Sequence, residues 1–367
     1  DAKKSRMVVA VPSIDLCAAI LESFRRTHGK LTSMLPLRNS LRTKILAAVL
    51  LLIVVALSSV ISILAIEVFH RLKAPYRTLG GAQELPQFRR GAPDKLSAFV
   101  VDPDFGFRPI LGSGNYTRFG TLANDYSETK RPGVVRLLFI GDSVTRRGQI
   151  VEALRAQYGS QHYEYWNAGV ESFNTVQEVA YYKRFNRPIQ PDHVILTFHL
   201  NDFETTPVAF READGTLVVY APHWPIQRLN PWLFRHSYTY RYWLGLLSPR
   251  KAARSEIIEQ VRDSLADLSR GIARDNARLT VLVLPILRPL NDWKPEYREY
   301  RRLILEMLES LRIRHFDLLT PLKEALADGV IVTENGDDLF WHPSRDAAYY
   351  FAKYLRIQQL LEGIDAP

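Results

Sequence analysis

Cysteine is almost absent from this 367-residue chain, in which Cys17 is the single example. One cysteine excludes an intramolecular disulfide and any site built from several thiolates. Histidine, aspartate and glutamate also lack the spacing of metal ligands, so a metal site is not expected. The segment "SIDLCAA" differs from a lipoprotein cleavage site, because Asp15 and Leu16 stand where small residues are required.

Motifs for binding nucleic acid are absent as well. The chain carries 48 lysines and arginines against 39 aspartates and glutamates, a net charge of +9. The basic residues are scattered and match no nucleic-acid-binding pattern, so nucleic acid is not expected as a partner. A positive charge of this size favours contact with anionic surfaces such as lipid headgroups or polymers.

Charge is missing from one long stretch, residues 45–66, with the sequence "ILAAVLLLIVVALSSVISILAI". At about 1.5 Å per residue this stretch extends roughly 33 Å, which is enough to cross the hydrocarbon core of a bilayer. It has no polar face beyond three serines, unlike a core helix. It is also too long for a signal-peptide core, and no A-x-A-like cleavage site follows it. The sequence therefore predicts a transmembrane helix over residues 45–66.

Basic residues flank this segment unequally. The 20 residues before it contain six, which are Arg25, Arg26, Lys30, Arg38, Arg42 and Lys44. The 20 residues after it contain three, which are Arg71, Lys73 and Arg77. Positive charge is retained on the cytoplasmic side, so the bias predicts a cytoplasmic N-terminus and export of everything after the helix. The expected organisation is a basic cytoplasmic segment (1–44), the membrane helix (45–66), a linker rich in Pro, Gly and Arg (67–100) and an exported domain (101–367).

Apolar runs alternate with amphipathic stretches in the exported domain. The runs typical of strands are Val134–Ile140, Tyr163–Ala168, His193–Phe198, Leu279–Ile286 and Arg314–Leu319. The amphipathic stretches are Gln149–Tyr158, Val176–Phe185, Ser255–Asn276, Glu296–Leu311 and Ser344–Leu361. This alternation predicts an α/β fold with a parallel sheet covered on both faces. An insertion at about 203–250, crowded with Pro, Trp, Tyr and Arg, predicts a partly helical cap beside the carboxyl edge of the sheet.

Small and polar residues follow the predicted strands. The four groups are Gly141-Asp142-Ser143, Asn167-Ala168-Gly169, His199-Leu200-Asn201-Asp202 and Trp341-His342-Pro343-Ser344. The carboxyl ends of parallel strands meet at one edge, where a serine hydroxyl, an imidazole and an amide would suit acyl transfer. The imidazole needs a carboxylate to hold its tautomer, and the oxyanion needs fixed N–H donors. The alternative is that Ser143 only caps the helix that follows it.

The ordered blocks "GDS", "NAG", "ND" and a late "HPS" resemble the SGNH/GDSL hydrolase superfamily over roughly residues 134–361. The upstream "DPDFGFRP" resembles its membrane-anchored bacterial branch. The resemblance implies the SGNH hydrolase fold, a flavodoxin-like three-layer α/β/α sandwich with a parallel sheet of about five strands. It also implies a single-pass protein of the bacterial inner membrane whose catalytic domain is periplasmic or extracellular.

Carried over by position, the resemblance makes Ser143 the nucleophile and His342 the general base. It implies an oxyanion hole formed by the Ser143 and Gly169 backbone N–H groups and the Asn201 side chain. Asp142 would anchor the nucleophile turn.

This chain departs from the family pattern at three places. His199 stands where glycine is common and is expected to narrow the site. Leu339 occupies the usual position of the acid, three residues before His342, so we expect Asp338 to orient His342. Asp337 and a backbone carbonyl remain alternatives for that task. Two arginines, Arg146 and Arg147, interrupt the spacing after Ser143. They are expected to form a solvated turn, and would favour an anionic substrate if they faced the pocket.

The resemblance implies a membrane-anchored serine esterase that hydrolyses O-acyl esters and needs no cofactor. The expected partners are an acylated small molecule or glycan, with an envelope or exopolysaccharide glycan as the leading substrate, and the membrane through residues 45–66. One alternative is a polysaccharide O-acetyltransferase that uses the same triad. Another is a catalytically silent binding module, because loss of a triad leaves such a fold intact.

Overall fold

The computed structural model describes residues 41–73, 82–83, 99–112, 114–204, 206–211, 217–220, 230–240, 243, 250–334 and 340–363. Helices and strands are numbered in chain order. The helices are α1 (Leu41–Lys73), α2 (Ser143–Arg147), α3 (Gln149–Tyr158), α4 (Thr175–Tyr181), α5 (Pro231–His236), α6 (Arg250–Arg274), α7 (Pro295–Ser310), α8 (Leu319–Ala327) and α9 (Arg345–Ile357). The strands are β1 (Ala82–Gln83), β2 (Phe99–Asp102), β3 (Gly106–Pro109), β4 (Val135–Gly141), β5 (Tyr163–Asn167), β6 (His193–His199), β7 (Val208–Arg211), β8 (Leu217–Tyr220), β9 (Arg278–Leu284) and β10 (Arg314–Asp317).

Helix α1 contains the predicted membrane span. Its part from Lys44 to Leu72 is 29 residues long and apolar enough to cross a membrane. Its side chains from Lys44 to Ile66 are exposed, whereas a core helix of a soluble protein would bury them. Two of its three serines satisfy their hydroxyls within the helix, since Ser59 donates to Val55 O and Ser62 to Ser58 O, each at 2.8 Å. Pairing within the helix is the way that polar groups are satisfied in hydrocarbon.

The chain divides into two compact units, residues 1–68 and residues 69–367. The second unit is built on a sheet of five parallel strands in the order β10-β9-β6-β4-β5. When these five strands are numbered 1 to 5 along the chain and the sheet is read from the β5 edge, the order is 2-1-3-4-5, that of flavodoxin-like folds. The predicted α/β class and the number of parallel strands are confirmed.

Burial explains why the sheet is covered on both faces. Successive side chains of a strand point to opposite faces, and every residue of β4 and β6 is buried. Helices must therefore shield both surfaces, as near-continuous apolar strands predict. They pack in two groups, one formed by α3, α8 and α9 and another by α4 and α6.

The register of the sheet brings the predicted site loops together. Gly141 at the end of β4 pairs with Thr197 of β6, and Asn167 at the end of β5 pairs with Phe139 of β4. The three strands thus end side by side. From β4 the chain continues to β5 on one side, while β6 lies on the other side. Such a switch point opens a crevice at the carboxyl edge, where open α/β sheets bind ligands.

The insertion between β6 and β9 contains strands as well as the expected helix. Strand β7 pairs with β8, and β8 with β1, all antiparallel. Helix α5 is capped by Asn230, whose side chain accepts from Leu233 N at 3.0 Å. The described part of the cap is therefore mixed α and β.

Candidate active site

A sharp turn at the end of β4 presents Ser143. Asp142 caps α2 by accepting the Val144 N–H at 2.9 Å, so the helix begins at Ser143 itself. Gly141 is required there, because an added Cβ would lie 2.2 Å from Thr145 Oγ1. The turn leaves the Ser143 side chain half-buried at the carboxyl edge of the sheet.

The serine hydroxyl faces an imidazole from a distant part of the chain. Ser143 Oγ lies 2.9 Å from His342 Nε2, although 199 residues separate them. His342 is only 8% exposed and sits just before α9, whose first turn is capped by Ser344. With the hydroxyl donating to Nε2, the neutral imidazole carries its proton on Nδ1. The structure therefore brings together a serine and a base in the relation that nucleophilic catalysis requires.

The predicted acid cannot be placed in the same way. Asp338 and its alternative Asp337 lie outside the described residues, which resume at Phe340. The assignment of Asp338 as the group that orients His342 stays a prediction.

Asn201 is held by the residue that departs from the family pattern. His199 Nδ1 and Asn201 Oδ1 are 2.5 Å apart, so the imidazole donates and the amide oxygen accepts. This leaves the Asn201 Nδ2 group as the donating end of the amide. His199 is fully buried, and its ring meets Trp341 edge-on at 5.6 Å between centroids. Instead of narrowing an open site as expected, His199 lies beneath it and orients the amide. Sequence reasoning missed this role, because only the His-x-Asn spacing signals it.

Gly169 is held by hydrogen bonds within the site. Its N–H donates to Asn167 Oδ1 at 2.9 Å, and Asn167 Nδ2 donates to Thr145 O at 2.6 Å. The glycine is needed for close packing, since an added Cβ would lie 2.2 Å from Arg146 N. In this conformation Gly169 joins the loop after β5 to α2, and its place in the oxyanion hole stays a prediction.

Three carboxyl groups are buried below the site. Asp142, Glu178 and Asp202 are each about 1–2% exposed. Burial raises the pKa of Asp142 to about 6, and it raises the pKa of Glu178 and of Asp202 well above the ordinary range. Repulsion adds to the effect, because the charge of Asp142 raises the pKa of both other groups.

Glu178 is the least compensated of the three. Asp142 accepts from Val144 N, and Asp202 accepts from His199 N at 3.0 Å. Among the described residues, neither carboxyl oxygen of Glu178 has a hydrogen-bond partner. An unpaired buried charge is costly, so we expect Glu178 to hold a proton at neutral pH.

Replacing Glu178 with glutamine is expected to stabilise the protein at alkaline pH. The folded state binds the Glu178 proton more tightly than the unfolded chain. The associated stability is therefore complete below the ordinary pKa near 4.5 and is lost as pH rises through the raised value. Thermal unfolding of the full chain should give equal Tm values for Glu178→Gln and wild type near pH 5. At pH 9 and above, the variant should melt about 3–6 °C higher.

The control for this prediction is Glu152→Gln, at an exposed carboxylate that pairs with Arg155 on α3. That variant should follow the wild-type dependence of Tm on pH. Parallel curves for Glu178→Gln and wild type across pH 5–9 would show that Glu178 ionises normally.

The two arginines after Ser143 are paired rather than free in solvent. Arg146 donates to Tyr116 OH at 3.2 Å and lies 3.6 Å from Glu171 Oε2. Arg147 donates to Glu334. The turn stays partly exposed to solvent, with Arg147 exposed and Arg146 half-buried, and these contacts join α2 to neighbouring loops.

No group of three or more His, Cys, Asp or Glu side chains in the described ranges is arranged to hold a metal ion.

No protein-family model matches the chain, and no curated protein matches it either. Among solved structures, the acetylxylan esterase Axe2 from Geobacillus stearothermophilus is 16% identical with a TM-score of 0.40, covering 62% of this chain and 95% of that chain. LAE5, an α/β hydrolase from the metagenome of Lake Arreo in Spain, is 15% identical with a TM-score of 0.42, covering 64% and 99%. At these levels of similarity, the activity has to be inferred from the site's own geometry.

Proposed function

We propose that this protein is a membrane-anchored serine esterase of the SGNH/GDSL type that hydrolyses O-acyl esters. The observation that carries the proposal is the 2.9 Å contact between Ser143 Oγ and His342 Nε2 at the carboxyl edge of a doubly wound sheet. The alternative, that Ser143 only caps α2, does not account for the contact with His342, and Asp142 already supplies that cap.

In the proposed reaction, Ser143 Oγ attacks the acyl carbonyl carbon while its proton passes to His342 Nε2. The tetrahedral intermediate collapses as His342 returns this proton to the departing alcohol oxygen. The acyl group is then bound to Ser143 as an ester. Water attacks this ester with His342 again as the base, and the carboxylic acid leaves as Ser143 regains its proton.

Two donors are proposed for the oxyanion. The Ser143 N–H belongs to the first residue of α2, where N–H groups have no acceptor within the helix. The Asn201 Nδ2 group is the donating end of an amide whose oxygen is held by His199. Fixed donors of this kind contribute most because they need no reorganisation during the reaction. Asp338 is the proposed partner of His342 Nδ1.

The proposed substrate is an O-acyl group on an envelope or exopolysaccharide glycan. Support comes from the span over residues 45–66 and from the six-to-three bias of basic residues across it, which favours export of the catalytic domain. In this arrangement the anchor would hold the enzyme at the outer face of a bacterial inner membrane. No cofactor enters the proposed reaction.

The full chain, purified in detergent, is expected to hydrolyse p-nitrophenyl acetate and to react with a fluorophosphonate probe. Peptide mass spectrometry should place the probe on Ser143, because an activated serine oxygen is the group such probes modify. A folded protein that neither hydrolyses the ester nor takes the label would instead be a silent binding module. Transfer of acetyl to an added polysaccharide in preference to water would identify an acetyltransferase.

A further inference from the structure

The contact between Ser143 and His342 joins two loops that are 199 residues apart in the chain. Ser143 is fixed by the end of β4 and the start of α2, whereas His342 is followed closely by α9. Catalysis depends on their relative position, since a displacement of about 1 Å can lower a rate about 10²-fold. Contacts between the two loops therefore bear directly on the rate.

The backbone around His342 is paired with a short extended segment. Thr333 and Pro343 form an antiparallel bridge. Glu334 N donates to His342 O at 3.0 Å, and Ser344 N donates to Val332 O at 2.9 Å. Glu334 is thus bonded directly to the backbone of His342.

The side chain of Glu334 reaches the nucleophile side. Its Oε2 accepts from Arg147 Nη1, and its Oε1 accepts from Gln149 Nε2. Arg147 is the last residue of α2 and Gln149 the first of α3, on either side of Gly148, whose φ of 81° ends α2. We call Glu334, Arg147 and Gln149 the Glu334 clamp.

We propose that Glu334 is a positioning residue that sets the distance between Ser143 and His342, a role that rests on the proposed esterase function. One residue bonds the His342 backbone through its N–H and both helices after Ser143 through its carboxylate. The side chains of Arg147 and Glu334 are 39% and 21% exposed, so their ion pair adds little to global stability. The pair links the loop of His342 to the helices after Ser143, so its loss should change the rate more clearly than the melting temperature.

A substrate-binding role for Arg147 makes a different prediction. In that case Glu334 would only neutralise an arginine awaiting an anionic substrate, and its removal would change KM. If Glu334 positions the two loops, removing its side chain leaves substrate binding intact and lowers kcat, because His342 no longer lies correctly for proton transfer.

The test compares Glu334→Ala with wild type as full chains in detergent. We expect kcat for p-nitrophenyl acetate and the rate of fluorophosphonate labelling to fall about 3- to 10-fold, with KM within about twofold. Tm should change by less than about 2 °C. The charge reversal Arg147→Glu with Glu334→Arg should recover activity relative to Arg147→Glu alone.

The matched control is Arg187→Ala, which removes another partly exposed pair, between Arg187 and Asp275, outside the site. Its kcat should equal that of wild type. An unchanged kcat in Glu334→Ala, or a raised KM at constant kcat, would overturn the clamp.

A crystal structure of Glu334→Ala tests the clamp without turnover. The Ser143 Oγ to His342 Nε2 distance should exceed 3.5 Å, beyond hydrogen-bonding range. Retention of the 2.9 Å contact would overturn the proposal. If wild type proves inactive, the esterase proposal fails, while this distance still decides whether Glu334 positions His342.

Discussion

Replacing Ser143 with alanine is expected to lower kcat/KM for p-nitrophenyl acetate by at least about 10³-fold. The variant lacks the oxygen that lies 2.9 Å from His342 Nε2, and water cannot form the acyl-enzyme in place of the serine. The fold should be unaffected, because Asp142 caps α2 and the Ser143 side chain is only half-buried. Steady-state kinetics and thermal unfolding of the same preparation measure both effects.

Ser269→Ala is the matched control, since Ser269 is a half-buried serine on α6. It should keep wild-type activity and fluorophosphonate labelling. If Ser143→Ala retained more than about a tenth of the activity, or still took the label, the nucleophile would be a different residue.

Replacing His342 with alanine is expected to have an effect of similar size, about 10³-fold on kcat/KM. The hydroxyl loses the base 2.9 Å away and keeps its proton at neutral pH. Fluorophosphonate labelling should slow in parallel, since it needs the same activated oxygen. Added imidazole should restore part of both rates, because it can enter the space left by the side chain and accept the proton.

His315→Ala is the control for this variant, at a half-buried histidine on β10 whose Nδ1 lies 2.9 Å from Ile313 O. It should be as active as wild type. The double variant lacking both Ser143 and His342 should be no slower than Ser143→Ala, because the two groups act as a unit. Additive losses would show that they act in separate steps.

The strands were predictable because they are apolar on both faces. The run Val134–Ile140 corresponds to β4 at Val135–Gly141, and His193–Phe198 to β6 at His193–His199. A strand buried on both sides leaves a near-continuous apolar run, interrupted here by Arg136 in β4 and Thr197 in β6. The polar groups after these strands could be placed at one edge for the same reason, since parallel strands share their direction.

The hydrogen-bond partners at this edge were not predictable. His199 was expected to narrow the site and instead orients Asn201, while the Gly169 N–H donates to Asn167. Each pairing depends on how loops from different strands pack, to within a few tenths of an ångström. Hydrophobic periodicity carries no information at that scale.

The parallel α/β architecture, the apolar helix and the candidacy of Ser143 and His342 could be read from the amino-acid sequence, because apolar periodicity and residue type are local properties. The tertiary structure was needed to show that Ser143 and His342 lie 2.9 Å apart, that Glu178 is buried with no hydrogen-bond partner among the described residues, and that Glu334 joins the two loops. These contacts and this burial involve residues far apart in the chain, and they form only when the folded sheet brings those residues together.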